Sequence, residues 1–304
     1  PDMDAPVTAE NLNASCFCLP VEGTPKLAST HPLFLDRAVR AQLLGAVAAI
    51  AGALDELRPA SRAHAAGGLF NSFDFHLPAD GPKLIEININ AGGAFLQRFI
   101  RPSAAALQRH ECCSGRLEPE FDPVDAMLEC WRRLRGEQAL LTIAIVDTDP
   151  EGQGLYDDML AARTAIRARG IGCDILDISA LRLQDGRLAG PAGPIDFVYN
   201  RCTDFSLSHP DNAVLRHAWR SGAALVAPNP DIHAAYADKH WLIALSDLAR
   251  QGATGLDCIL ETRELTAANA AELWARRRDF VFKPRQGYGS RGVHRGDKLT
   301  SVRW

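Results

Sequence analysis

A chain of 304 residues, 47% hydrophobic and 23% charged, has the makeup of a globular protein with room for two or three domains. Its formal net charge is −4 with both signs interspersed, so no basic face is offered to nucleic acid or to an anionic membrane, and neither is expected as a partner. No run of about 18 apolar residues is uninterrupted; the best, Leu43 to Leu54, is short and lacks signal-peptide flanks, which predicts a cytoplasmic protein.

The first 30 residues are rich in Pro, Asn, Ser and Thr without sustained periodicity, which predicts an irregular lead-in. From Pro32 to Leu57 the spacing of Leu35, Val39, Leu43, Leu44, Val47, Ile50 and Leu54 predicts one apolar helical face, ended by Pro59. Two strand-like runs, Leu69 to Leu77 and Lys83 to Ile89, are joined by the turn signal Ala-Asp-Gly and read as an antiparallel hairpin. A helix is expected over Asp122 to Leu134.

The character changes at Leu140. The run LLTIAIVDTD has the look of a buried parallel strand ending in acids. A helix over Gly154 to Arg169 and the strand CDILDIS complete a βαβ unit. PIDFVYNR predicts a third strand, Asp211 to Ser221 a helix and ALVAPNP a fourth strand, so residues 140 to 230 read as an open α/β domain. Beyond it the pattern predicts a helix over Asp238 to Arg250, a strand near Cys258, a helix over Ala267 to Arg277 and the strand DFVFKPRQ running into glycines. The eight cysteines show no CxxC pair, which argues against a zinc site and for free thiols in a reducing compartment.

Two segments carry chemistry. In DFVFKPRQGYGSRGV, residues 279 to 293, Lys283 sits on a strand before Gly287, Gly289 and Gly292, with Tyr288 and Ser290 between them. Such a loop can close backbone N–H groups over phosphates while the lysine adds a positive charge. No Gly-Lys-Ser/Thr follows, which excludes a Walker loop, and taken alone GYGSRG is equally a structural β-turn. Arg285 and Arg291 flank the loop and could neutralise a transferred phosphoryl group. In FDFHLPADGPKLIEININAGG, residues 73 to 93, Asp74, Glu86 and Asn88 are hard oxygen donors on adjacent strands. Glu86 and Asn88, two apart, share a face, and the set suits Mg2+, which takes one or two carboxylates and completes its shell with water and phosphate oxygens. Asn88 and Asn90 interrupt an apolar strand before Gly-Gly, and local rules broken together mark a site.

A strand lysine before a glycine-rich hairpin, together with an Asp followed a dozen residues later by Glu-x-Asn, resembles the ATP-grasp ligases. The order here, Glu-x-Asn early and Lys-Pro plus glycines late, is similar to the circularly permuted branch that includes eukaryotic-type glutathione synthetase and glutathionylspermidine synthase. The motifs of that resemblance lie in residues 69 to 95 and 196 to 293. It implies a permuted ATP-grasp fold with an inserted open parallel-sheet α/β substrate domain. Residues 1–139 would hold the metal-binding half, 140–235 the substrate domain, and 236–304 the lysine and glycine-loop half. YADKHWLIALSD looks like the Asp-Lys helix of the family, mapping its first phosphate-binding lysine onto Lys239. FVYNRCTDF looks like a Tyr-x-Arg stretch that contacts substrate, making Arg201, with Asn90, the candidate pair for a substrate carboxylate.

The resemblance implies ATP and Mg2+ as cofactors, and a reaction joining a small-molecule carboxylate, an amino acid or peptide, to an amine through an acyl phosphate. Lys283, Arg285 and Arg291 would serve catalysis, and Lys239, Lys283, Gly287, Tyr288, Gly289, Ser290 and Gly292 would hold the nucleotide. Related ligases are often dimers, and the resemblance admits a homodimer. The family's adenine-holding strand follows the glycine loop and is expected beyond Trp304. Its absence from this sequence motivates a second expectation, an ATP-binding or regulatory protein without ligase activity. A third is a metal-independent α/β domain that binds a peptide or amino acid through Arg201.

Overall fold

The computed structural model describes residues 37–57, 69–96, 122–285, 287 and 292–301. In chain order these begin with α1 (Arg37–Leu57), β1 (Ser72–His76), β2 (Lys83–Asn88), α2 (Pro123–Arg135), β3 (Thr142–Asp147), α3 (Tyr156–Arg167) and β4 (Gly172–Asp177). Then come β5 (Arg182–Gln184), β6 (Arg187–Gly190), β7 (Gly193–Pro194), β8 (Phe197–Asn200), α4 (Ala213–Ser221) and β9 (Leu225–Ala227). The remainder is α5 (His240–Arg250), α6 (Ala270–Ala275), β10 (Val281–Phe282) and β11 (His294–Arg295). The expected lead-in over the first 30 residues, the start of the first helix before Arg37, and Cys16, Cys18, Cys112 and Cys113 lie outside the described residues.

The chain divides into two compact units. Described residues 69–70, 90–96 and 122–230 form the first, and 37–57, 71–89, 231–285, 287 and 292–301 the second. The strands carrying Asp74 and Glu86 thus belong with the last 70 or so residues of the chain, while 90–96 and α2 pack on the parallel sheet.

In the first unit β3, β4, β8 and β9 pair in the order β4-β3-β8-β9, all parallel, giving a mixed α/β architecture. Alternation at period two sends successive side chains to opposite faces. Ile143, Ile145, Phe197 and Tyr199 pack with Met127 and Trp131 of α2 and Met159 and Ile166 of α3. Ala144, Val146, Val198 and Val226 pack with Leu215 and Ala218 of α4 and with Leu188 and Ile195 beside them. Sheet residues are buried on both faces, which explains why the sequence runs are continuously apolar.

Local signals set the ends. Asp122 caps α2 by accepting from the Val124 amide at 2.8 Å, Pro123 opens the helix, and Gly136 leaves it at φ 64°. Asp196 pins the start of β3, its Oδ2 accepting from the backbone amides of Leu141 and Thr142 at 3.0 Å. The small antiparallel sheet β5-β6-β7 has no counterpart among the expected strands. Its strands are two to four residues long, below the length at which alternation shows, yet Asp185 and Gly186 at φ 50° and 76° form a two-residue Asp-Gly loop.

The second unit is built on one face of α1. Ala46, Ile50 and Leu54, four residues apart, are buried with Leu84 and Ile87 of β2, Trp241 and Leu245 of α5, and Leu256 and Cys258. Each fully buried aliphatic side chain of this kind contributes about 1.5–3 kcal/mol. By length and composition α1 could also cross a membrane, a test that core helices pass too. Its apolar stretch extends beyond Leu43 to Leu54 because the helix begins at Arg37. The strand expected near Cys258 is absent: the segment is irregular, and the Cys258 carbonyl accepts from the Leu84 amide at 2.8 Å. That backbone bond, with Lys83 Nζ donating to Asp257 O at 3.4 Å, joins the segment to β2 in place of a ladder. The helix expected over Ala267 to Arg277 is regular only over α6.

Of the strand expected over DFVFKPRQ only Val281 and Phe282 form β10; Lys283, expected on that strand, follows its end, since Pro284 has no amide to continue a ladder. Val281 faces Arg295 and Phe282 faces His294 in an antiparallel pair. Gly296 closes this hairpin by donating its amide to Phe280 O at 3.0 Å, and a Cβ there would stand 1.7 Å from the Arg277 carbonyl oxygen and 2.8 Å from that of Phe280. Both obstacles are backbone. Gly296→Ala should therefore cost on the order of 2 kcal/mol or more of stability, read as a fall in the urea midpoint; an unchanged midpoint would show that the turn yields freely.

Candidate functional site

Asp74 and Glu86 stand directly opposite each other across β1 and β2, with Ser72 opposite Asn88. Like charges in register destabilise a strand pair, so this hairpin needs positive charge. Register slips after Asp74, where Phe75 faces Leu84, and Ile85 becomes the extra residue of a bulge. The bulge has two effects. It lets Leu84 and Ile87, three apart, enter the same core while Glu86 and Asn88 turn the other way. It also releases the Ile85 carbonyl, which accepts from Lys283 Nζ at 3.3 Å.

Lys283 thereby brings its ammonium within 3.7 Å of Glu86 Oε2, although it lies 198 residues from Ile85 in the chain. Asn88 Nδ2 donates to Asp74 Oδ2 at 3.3 Å and to Glu86 Oε1 at 3.4 Å, and Ser72 Oγ to Asp74 Oδ1 at 3.4 Å. Burial raises the Asp74 carboxyl above the usual carboxylate range and Glu86 adds to the rise; the Ser72 hydroxyl and Lys283 only partly oppose it.

Lys239 reaches the same cluster from a different element. A π-helical turn, His233–Ala237, lies against β2, and its wide pitch is a device often found at functional sites. The turn is fixed by Trp241 Nε1 donating to Ala234 O at 2.9 Å. Lys239 follows it, and its Nζ donates to Gly287 O at 3.4 Å. Burial depresses the Lys239 ammonium and Lys283 adds to that, while Glu86 and Asp238 act in the opposite sense. Two lysines, two carboxylates and a carboxamide thus converge within the second unit. Arg285 is engaged nearby, donating from Nε to both Asp238 oxygens at 2.8 and 3.0 Å. Gly292 adopts φ 72°, left-handed backbone that suits glycine. Tyr288, Gly289, Ser290 and Arg291 lie outside the described residues.

Among the described residues, no group of three or more His, Cys, Asp or Glu side chains is placed to hold a metal ion. The set of Asp74, Glu86 and Asn88 has two such carboxylates plus an amide. Its donors are all hard oxygens once the Asn88 amide turns its carbonyl inward, and the opposed carboxylates would be relieved by a divalent cation. The residues fit magnesium in chemistry.

The other candidates meet in the first unit, at the carboxyl end of its parallel sheet. Arg201 follows β8 and is 6% exposed. Its Nη1 donates to the Asn90 side-chain and backbone oxygens, to Ala91 O at 3.4 Å and to Tyr199 Oη at 3.3 Å, with the guanidinium 5.4 Å from the Tyr199 ring centre. Arg201 and Asn90 are therefore bonded to each other. Two acids here escaped sequence reasoning. Asp158, 1% exposed, accepts the amides of Phe95 and Leu96 at 3.0 and 2.9 Å and so fixes the turn that follows Asn90. Asp147, 4% exposed, ends β3, and its Oδ1 accepts from the Thr148 amide at 2.8 Å. The acidic end of the LLTIAIVDTD run was its available signal. The free cysteines Cys130, Cys173, Cys202 and Cys258 are buried, and burial pushes the thiols of Cys173 and Cys202 up to about 12, which leaves them unreactive.

No protein-family model matches the chain, and no curated protein matches it.

Burial pushes the Asp147 carboxyl from 3.8 to about 6, Asp177 adding to the rise while the Thr148 amide and the Arg201 charge oppose it. A raised folded-state value means the folded protein holds this proton more tightly than the unfolded chain. Stability is then gained as pH falls from about 6 towards 4 and lost as pH rises through that window. Asp147→Asn should raise stability at pH 7.5 by on the order of 1–2 kcal/mol and flatten this part of the pH profile. Melting curves at pH 5 and 7.5 check it; an unchanged slope would contradict it.

Proposed function

We propose that this chain is an ATP-dependent carboxylate–amine ligase of the circularly permuted ATP-grasp kind, working through an acyl phosphate. The observation that carries the reading is the meeting of Lys283 and Lys239 with Glu86 and Asp74, from strands and a helix start far apart in the chain. Two ammonium groups beside a hairpin of opposed carboxylates match the needs of a metal–triphosphate: fixed cations for phosphate oxygens and hard oxygens for the metal.

Asp74, Glu86 and Asn88 would hold magnesium, whose chemistry is to neutralise charge on the phosphates. Lys239 and Lys283 would grip the phosphate chain and stabilise the charge that develops on transfer, without any side chain acting as nucleophile. The glycine segment containing Gly287 and Gly292 would shut water away from the acyl phosphate. In the first unit, Arg201 with Asn90 would take a substrate carboxylate, since a guanidinium paired with neutral oxygens keeps its charge available for an anion. Open parallel sheets bind ligands at this carboxyl end.

Lys283→Ala and Glu86→Ala should each lower magnesium-dependent ADP release by roughly a hundredfold or more, with far-UV circular dichroism unchanged. Release is assayed with amino acids and small peptides supplied, and product mass separates ligation from simple phosphorylation. Unaltered ADP release in both variants would sink the mechanism.

A further inference from the structure

In the second unit Lys239 Nζ donates to Gly287 O at 3.4 Å and Lys283 Nζ to Ile85 O at 3.3 Å beside Glu86, and the like charges of the two ammonium groups act against each other. The residues beside them form an ion pair. Asp238 precedes Lys239, and Arg285 lies two residues after Lys283. The Asp238 carboxylate, 6% exposed as a residue, accepts Arg285 Nε through both oxygens at 2.8 and 3.0 Å. It also accepts the His240 amide at 3.0 Å and lies 3.0 Å from His240 Nδ1. Burial works to raise this carboxyl, and the hydrogen bonds from Arg285 and His240 outweigh it and bring it down to about 2, so it is ionised at any working pH.

The Arg285 side chain is 63% exposed. An ion pair with one partner in solvent contributes little to global stability, so stabilisation is a poor reason for burying Asp238. Geometry is a better one. On the Asp238 side, the π-helical turn lies against β2; on the Arg285 side, β10 is held in its hairpin with β11. The pair ties the backbone leading into α5 to the backbone leaving β10, the two segments that carry the lysines.

We propose that Asp238 and Arg285 form a positioning latch that holds the Lys239 and Lys283 ammonium groups convergent on one phosphate chain. The latch rests on the nucleotide reading above and gives Arg285 a different task from direct charge neutralisation. Asp238 and Arg285 act through the lysines and need not touch the nucleotide.

The test is titration of the full chain with ATP and magnesium, comparing the unmodified protein with Asp238→Asn, Arg285→Ala, the double variant and Arg285→Lys. Asparagine keeps an acceptor for the His240 amide while removing the charge and one of the two oxygens that accept from Arg285. Each of the first two substitutions should weaken ATP binding about tenfold, the loss typical of groups that orient a binding residue. The double variant should be no weaker than the worse single, because both remove one shared interaction. Arg285→Lys should recover part of the affinity, and melting temperatures should stay within a few degrees. Losses that add, or full affinity in Asp238→Asn, would overturn the latch. A loss confined to Arg285→Ala would show that Arg285 contacts nucleotide itself, which also overturns it. An unmodified chain that takes up no ATP would overturn the nucleotide reading as well, and is told apart because no variant is needed to see it.

Discussion

A carboxylate facing a carboxylate across a strand pair is electrostatically unfavourable, and the β1–β2 hairpin places Asp74 against Glu86 in that way. Much of the second unit is arranged around the consequence. A bulge frees the Ile85 carbonyl to hold Lys283, Lys283 comes within salt-bridge reach of Glu86, and the turn that precedes Lys239 packs on the same strand. The apolar residues of β2 are meanwhile sent into the core with α1 and α5. The same bulge that sets the core phase therefore also sets the polar cluster. A hairpin that kept strict alternation would place Leu84 on the face of Glu86 and Asn88 and would leave Ile85 without a carbonyl to spare.

The first unit follows a different logic. Its parallel sheet is covered on both faces, and polar groups collect where the strands end. Arg201 is held there by neutral oxygens from Asn90, Ala91 and Tyr199, and among the described residues its charge is balanced at longer range, in part by Asp147. A carboxylate kept ionised at a cost and a guanidinium that, among the described residues, has no hydrogen-bonded acid are features that packing alone does not favour. Asp158 contributes by holding the glycine turn after Asn90 through two backbone amides.

Much of the fold was legible in sequence because burial writes itself as pattern. Continuously apolar runs announced β3, β8 and β9, and the 3.6-residue spacing announced α1. The small β5-β6-β7 sheet was not legible, since strands this short show no period and only the Asp-Gly turn betrays them. Cys258 misled because an apolar residue that meets β2 through one carbonyl looks like a strand residue. In the site, residue types and the spacing of Glu86 and Asn88 sufficed to propose oxygen donors. The bulge at Ile85 did not show, because it changes pairing without changing composition. Nor could the Asp238–Arg285 pair be read, since 47 residues separate two side chains that only the folded unit brings together.

The central claim is that these converging charges bind a magnesium–nucleotide. Isothermal titration of the full chain with ATP, with magnesium present and then with it chelated, tests it most directly. The account predicts saturable binding of one ATP per chain that weakens at least tenfold when magnesium is removed. No binding with magnesium present, or the same affinity after chelation, would contradict it.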